Sequence, residues 1–176
     1  MKKGMTRFFT LLLAALLCAL GIGAWGENLP VEEAEEAAYH LMIGDFGYRP
    51  EEAAGFRYEG WMEEGSISTY VRVYTDSGQE AYIELCYWND GTLDEARIDI
   101  NVPFEYWKRK ITEEEAKESA RHLLMGKYGY REDVMEGFRY EAQEQEGIIV
   151  VRAYPFEEME DEYFTLKYHY DGRLSS

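Results

Sequence analysis

Two histidines are the clearest candidates in this sequence for acid–base chemistry or metal binding. His40 follows Glu36 by four residues, and His122 follows Glu118 at the same spacing. One helical turn would bring each glutamate beside its histidine, where the pair could ligate a metal ion or relay a proton. The alternative is an ion pair on a helix surface that occurs twice because the fold occurs twice. We favour the ion pair, and we therefore predict no metal site and no cofactor.

Cys86 and His169 could supply a different chemistry, in which a histidine base activates a cysteine nucleophile. The two residues occupy similar positions in two separate predicted strands, so two sheets would have to bring them together. The sequence contains no HExxH zinc-protease motif, no GxSxG elbow and no P-loop. We therefore expect a non-catalytic protein, with a small metal-dependent or cysteine-dependent extracytoplasmic enzyme as the alternative.

The charge of the chain limits what it binds. The 176 residues include 35 Asp or Glu against 18 Lys or Arg, a formal net charge of -17. Nucleic acids and anionic lipid surfaces are bound mainly through lysine and arginine, which neutralise phosphate charge. We therefore expect no nucleic-acid partner and no membrane association of the mature protein. A hydrophobic content of 46% is typical of a folded globular domain.

The N-terminal segment has the three parts of a secretory signal peptide. Basic residues precede an apolar run over residues 8–20, and Ala24 and Gly26 form the small-residue pattern of a cleavage site. This predicts a leader over residues 1–26 and a secreted or extracytoplasmic mature protein, with a retained membrane anchor as the alternative. Once the leader is removed, Cys86 is the only cysteine, so we expect no internal disulfide.

An internal repeat divides the rest of the chain. Residues 40–59 match residues 122–141 at 11 of 20 positions, with a constant offset of 82. We interpret the chain as two tandem units joined by a linker. The units cover residues 27–103 and 112–176, the linker covers residues 104–111, and the last strand of the second unit is truncated.

Each unit opens with a pattern typical of an amphipathic helix and continues with patterns typical of strands. Small or apolar residues recur at helical spacing over residues 34–42 and 116–124. Alternation of apolar and polar residues predicts strands around residues 69–74 and 82–88, and a last strand over residues 98–102. Between the first helix and these strands, Pro50 and Gly55 bracket a predicted further helical turn over residues 51–54. Residues 47–49 and 55–58, with their second copies, are predicted to form loop and part of the core. The predicted fold class is α+β, with each helix packed on a three- or four-stranded antiparallel sheet.

One face of each predicted sheet is left uncovered, because a single helix covers only the other face. Tyr, Trp and Arg predominate on the uncovered face, and these residue types are enriched in protein interfaces. The candidate protein-binding residues are Tyr70, Arg72, Tyr74, Tyr82, Trp88, Arg152, Tyr154 and Tyr163. The alternative is that these side chains pack one unit against the other or against a second molecule.

The succession of elements resembles a known family. A helix rich in glutamate and alanine over residues 31–41, a strand from Tyr70 to Tyr74 and a segment from Tyr82 to Gly91 resemble the PepSY group of bacterial exported domains. The tandem layout is also similar to beta-lactamase-inhibitor-type proteins, which carry two helix-plus-sheet units. Either resemblance implies a non-catalytic binding module, and PepSY units are thought to restrain peptidases. We therefore expect a secreted protein that binds a protein or peptide and modulates a peptidase, with an envelope scaffold role as a further alternative.

Overall fold

A computed structural model describes residues 28–75, 80–98, 110–155 and 163–175 of the chain. Within these ranges the chain forms helices and antiparallel strands, so the predicted α+β class is confirmed. The helices are α1 (Val31–Gly44), α2 (Pro50–Ala53), α3 (Glu113–Tyr128) and α4 (Glu132–Met135). The strands are β1 (Arg57–Met62), β2 (Thr69–Tyr74), β3 (Tyr82–Tyr87), β4 (Leu93–Ile98), β5 (Arg139–Gln145), β6 (Ile148–Tyr154) and β7 (Phe164–His169). None of the helices in these ranges is long and apolar enough to span a membrane.

The two long helices form where the sequence predicts them. Thr112 caps α3, since its Oγ1 accepts a hydrogen bond from Glu115 N at 3.2 Å and the Glu115 carboxylate accepts one from Thr112 N at 2.7 Å. Gly129, with a φ of 69°, ends α3 in the left-handed conformation that glycine adopts without strain. In α1 the small and apolar stripe from Ala34 to Ile43 is buried.

The strands form two sheets, each covered on one face by a long helix. The first sheet pairs β1, β2, β3 and β4 in chain order, and the second pairs β5, β6 and β7 in chain order, all antiparallel. α1 packs on β1 and β2, while α3 packs on β5 and β6. Val71, Leu85 and Val151 are fully buried on the covered faces, because alternate residues of each strand point towards the helix.

The two halves of the chain meet where α1 crosses α3. A side chain at Gly44 would lie 2.3 Å from the backbone nitrogen of Leu123, and one at Gly126 would lie 2.4 Å from that of Leu41. The close approach therefore depends on glycine in both helices. Buried residues of both halves join in one core cluster. In the described ranges the halves meet through their helices, so the alternative that the outer-face side chains pack one unit against the other is not what the structure shows. Packing of these side chains against a second molecule stays an untested alternative.

A second pair of glycine contacts flanks this crossing. A side chain at Gly47 would lie 2.8 Å from the carbonyl carbon of Gly172, and one at Gly129 would lie 2.8 Å from the carbonyl oxygen of Asp90. Gly47 and Gly129 both have positive φ angles, 76° and 69°. The loop after each long helix thus contacts the glycine turn after the third strand of the other half.

The structure differs from the sequence prediction at the edges of the sheets. The residues that precede β2 and β6, expected to form loop and core, contain β1 and β5. β1 and β5 each pair with a single strand and lie at the edge of their sheet. Because their polar residues are exposed and few of their residues are buried, the alternation of apolar and polar residues in the sequence is weak there. The last strand of the first half begins at Leu93, and residues 99–103 lie outside the described ranges. The predicted leader and most of the predicted linker also lie outside them.

Candidate binding face

The outer face of each sheet is the face that the helices leave uncovered. On the first sheet its side chains form three groups across the strands. The tyrosine row contains Arg57, Tyr74 and Tyr82, the ion-pair row contains Glu59, Arg72, Glu84 and Arg97, and the tryptophan end contains Trp61, Tyr70 and Cys86, with Trp88 just beyond β3. Alternate residues of each strand point to the outer face, so β1, β2 and β3 bring the aromatic side chains of the three groups together there, and Trp88 follows directly after β3.

The tyrosine row is largely covered by its own members. The Arg57 guanidinium lies 4.1 Å from the centre of the Tyr74 ring, and the Tyr74 and Tyr82 rings are 6.0 Å apart. Arg57 is held in turn by the Glu59 carboxylate. Only 8% of the Tyr74 surface remains exposed. Tyr74 therefore stabilises the sheet by a cation–π contact rather than offering its ring to a partner.

The ion-pair row fixes Arg72 in the middle of the face. Its Nη2 lies 2.6 Å from Glu84 Oε2, and its guanidinium lies 4.6 Å from the Tyr82 ring centre and 5.3 Å from that of Trp61. The hydrogen bond to Glu84 raises the pKa of Arg72 above its ordinary value. Arg72 thus joins the tyrosine row to the tryptophan end with its charge permanently present.

The tryptophan end is the open part of this face. The rings of Trp61 and Tyr70 stack with centres 5.5 Å apart and planes inclined by 17°, and Trp88 is 38% exposed. Cys86 is half-buried, and its Sγ lies 3.9 Å from a carboxylate oxygen of Asp94. Burial raises the pKa of the Cys86 thiol, which keeps it protonated and weakly nucleophilic at neutral pH. This end therefore offers aromatic contact area rather than a reactive group.

The outer face of the second sheet repeats the tyrosine row. Arg139 lies 4.2 Å from the Tyr154 ring centre, and the rings of Tyr154 and Tyr163 are 5.2 Å apart. Tyr154 is 7% exposed, close to the value for its counterpart in the first sheet. The positions that correspond in register to the tryptophan end are different. They hold Gln143, Val150, Lys167 and His169.

The structure divides the eight candidate residues between the two sheets. Tyr70, Arg72, Tyr74, Tyr82 and Trp88 gather at the outer face of the first sheet, and Arg152, Tyr154 and Tyr163 gather at that of the second. Trp61, Arg57 and Arg139 also belong to these faces, and sequence reasoning missed them because it did not recognise β1 and β5. The alternation of Arg57, Glu59 and Trp61 was the available signal.

The two histidines occupy the helix crossing rather than the surface. His40 Nδ1 lies 2.6 Å from His122 Nδ1, and the Tyr39 ring packs edge-on against both imidazoles. Burial lowers the pKa of both histidines, that of His122 to about 4, so both are neutral at neutral pH and one ring donates its Nδ1–H to the other.

The expected glutamate–histidine pairing is present only in the second half, where Glu118 contacts a neutral imidazole, so the contact is not an ion pair at neutral pH. His122 Nε2 lies 3.4 Å from Glu118 Oε1, whereas no ion pair joins the described residues Glu36 and His40. Within the described ranges no three His, Cys, Asp or Glu side chains are grouped as metal ligands.

Cys86 and His169 do not form a catalytic pair in the described part of the chain. Cys86 lies on β3 of the first sheet and His169 at the end of β7 of the second, and no described contact joins them. Comparison of the chain with protein-family models, with curated proteins and with solved structures finds no match. The PepSY-like and beta-lactamase-inhibitor-type resemblances therefore stay predictions, and the functional argument rests on the geometry of the two outer faces.

Proposed function

We propose that this chain is a secreted, non-catalytic protein that binds a protein or peptide through the tryptophan end of the first sheet. One observation carries the proposal: the two outer faces share the tyrosine row, but only the first has aromatic side chains at the other end, where Trp61 and Tyr70 are half-buried and Trp88 is exposed. Trp and Tyr provide a large contact area and lose little conformational entropy on binding, which is why they dominate binding hot spots. Secretion rests on the signal-peptide pattern of residues 1–26.

We also infer that the two halves are copies of one duplicated unit. The offset of 82 residues that relates the sequences also relates Gly44 to Gly126 and His40 to His122, and each pair meets at the helix crossing. Two copies begin with identical outer faces. The tyrosine row, which both copies retain, then serves the packing of the sheet, and we infer that the parts that differ reflect what each face contacts.

The class of partner to test first is taken from the PepSY-like resemblance. Such units are thought to restrain peptidases, so an extracytoplasmic peptidase is the first partner that we propose to test. The open aromatic end suits a protein surface or an extended peptide, which contact a sheet face over a broad area.

The test exchanges the tryptophan end for the residues of the second sheet. The variant Trp61→Gln, Tyr70→Val, Trp88→His and the wild-type protein are immobilised and used to capture partners from culture medium. Tyr163→His is the matched control, because Tyr163 is 44% exposed on the other sheet. Removing several aromatic contacts should weaken a captured partner's binding by at least roughly thirtyfold.

The control variant should bind that partner as the wild type does, and thermal melting should confirm that all three proteins are folded. Equal capture by the wild type and the exchange variant, at equal stability, would overturn the proposal.

A further inference from the structure

Two basic residues of the second sheet differ from the other described lysines and arginines, because they form no salt bridge in the described part of the chain. Arg152 and Lys167 form no salt bridge with a described residue. Every other lysine or arginine in the described ranges forms one with a carboxylate. Acidic residues outnumber basic ones by 35 to 18 in this chain, so available carboxylates are abundant. This face is therefore locally positive in a protein whose net charge is strongly negative.

The register explains how this face became positive. On the first sheet Arg72 lies between Glu59 and Glu84 and forms its salt bridge with Glu84. On the second sheet Arg152 lies between Thr165 and Glu141, and Glu141 forms its salt bridge with Arg139 instead. Lys167 occupies the register position that Cys86 holds on the first sheet. The second face thus lacks one carboxylate and has one additional ammonium group.

Arg152 and Lys167 are close enough to act on one group. Val150 pairs with Lys167 and Arg152 pairs with Thr165, so the two cations are diagonal neighbours on β6 and β7. Diagonal neighbours in an antiparallel pair have Cα atoms roughly 7–8 Å apart, a distance that two long side chains bridge easily. Both side chains are exposed to solvent.

The surface around these cations is concave. Two adjoining open depressions, of about 390 Å³ and about 600 Å³, share Gln145 and Val150. Arg152 lines the first together with Glu141, whose carboxylate pairs with Arg139, and Lys167 lines the second together with Glu146. Ile148 extends the apolar floor that Val150 begins. Volumes of several hundred Å³ are typical of sites for small ligands.

We propose that Arg152 and Lys167 bind the carboxylate of an acidic peptide, whose apolar side chains lie over Val150 and Ile148. The planar guanidinium donates two parallel hydrogen bonds to a carboxylate, and the lysine ammonium adds a second charge. The site is on the opposite sheet from the tryptophan end, so it does not depend on the partner proposed there.

The probe is a short peptide in which glutamate alternates with leucine and the C-terminal carboxylate is free. Its binding to the purified protein is measured by calorimetry, and backbone amide shifts locate it. Lys167→Gln should weaken binding about tenfold, the effect of losing one hydrogen bond to a charged group, and Arg152→Gln, which removes two such bonds, should weaken it at least as much. Arg131→Gln is the control, because Arg131 is exposed but paired with Asp133, and it should leave binding unchanged.

Two further arms define the ligand chemistry. A peptide with glutamine in place of glutamate and an amidated end should not bind, and inorganic phosphate should not displace the acidic peptide at equal concentration. Equal binding of the glutamine peptide would overturn the carboxylate assignment, and displacement by phosphate would make the site a general anion site. Loss of binding in Arg131→Gln, or shifts outside β5–β7, would place the peptide elsewhere and also overturn the proposal.

Discussion

The first sheet stacks Arg57 on Tyr74, and the second stacks Arg139 on Tyr154, at 4.1 Å and 4.2 Å from the ring centres. In both sheets the tyrosine beneath the arginine is almost completely buried. A contact that two halves share in register and bury to the same extent serves the fold of each half. The comparison therefore assigns the tyrosine rows to stability.

At the other end of the two faces, the residues differ between the sheets instead of being shared. The first sheet carries Trp61, Tyr70 and Trp88, and the second carries Gln143, Val150 and His169 in the corresponding register. Neither set is required by the strand pairing, since both sheets form with different residues there. We therefore propose that recognition differs between the two faces, with aromatic side chains at this end of the first sheet and the cations Arg152 and Lys167 on the second.

The largest effect should come from breaking the helix crossing that holds the two halves in equivalent positions. Alanine in an exposed helix normally stabilises it relative to glycine, but here the added methyl would meet backbone of the other helix at 2.3 Å or 2.4 Å. Gly44→Ala and Gly126→Ala should each lower the free energy of unfolding by about 3 kcal/mol, as overpacking does. Urea denaturation measures this.

Gly137→Ala is the control for the helix crossing. The nearest atom to its added methyl is Val134 O at 3.7 Å, so the change should be within about 0.5 kcal/mol. A loss in only one of the two helix variants would show that the halves are not held equivalently.

The tyrosine rows should matter equally in both halves. Tyr74→Ala and Tyr154→Ala each remove a buried ring and its arginine contact, so each should lower the free energy of unfolding by about 2 kcal/mol. Trp88→Ala removes a ring that is 38% exposed and should cost less than either. Chemical denaturation of the three variants compares them. A much larger loss at one tyrosine than at the other would contradict the shared structural role.

The histidine pair should make the joined halves sensitive to acid. Burial lowers both pKa values, so the unfolded chain takes up protons near pH 6.5 while the folded chain does so only at lower pH, about 4 for His122. Stability is therefore complete above about pH 6.5 and falls as the pH drops towards 4, by on the order of 1–2 kcal/mol. Tyr39 of α1, Glu118 and Arg121 of α3 and Glu132 of α4 surround the pair.

Denaturation at pH 7 and pH 4.5 of the wild type, His122→Gln and His169→Gln isolates this contribution. His122→Gln should flatten the dependence, and His169→Gln, which removes an exposed histidine, should keep it. The same dependence in all three proteins would exclude the pair as its source.

The smallest effect should distinguish the two central arginines. Arg72→Gln leaves Glu84 without its partner and removes contacts to two rings, so it should cost about 1 kcal/mol. Arg152→Gln should change stability by only a few tenths of a kcal/mol, since no described carboxylate pairs with Arg152. Melting temperatures of both variants measure the difference. Equal losses would mean that Arg152 is held by the fold as Arg72 is.

The helices and the central strands were predictable because local physics determines them. Thr112 and Glu115 form a capping box, and Val71 and Val73 alternate with polar residues on a half-buried strand. β1 and β5 were not recognised, since each pairs on one side only and carries charged residues such as Glu59 and Glu141 on its exposed face.

The meeting of His40 with His122 was beyond sequence reasoning for a different reason. An offset of 82 residues relates two equivalent positions, but equivalence does not bring positions together. Their proximity depends on how α1 crosses α3, and that crossing is set by the backbone contacts of Gly44 and Gly126. The same crossing places both long helices on the inner faces of the sheets, so neither described long helix covers an outer face, which no pattern within one unit could indicate.

Site-specific photocrosslinking tests the central claim most directly. A photoreactive benzoylphenylalanine replaces Trp88 in one protein and His169 in another, since each residue closes the turn after the third strand of its half by a backbone hydrogen bond, Trp88 N to Thr92 O and His169 N to Arg173 O. Each protein is irradiated in culture medium. The account predicts a discrete protein adduct from position 88 and none of that mass from position 169. No adduct from position 88, or the same adduct from both positions, would contradict it.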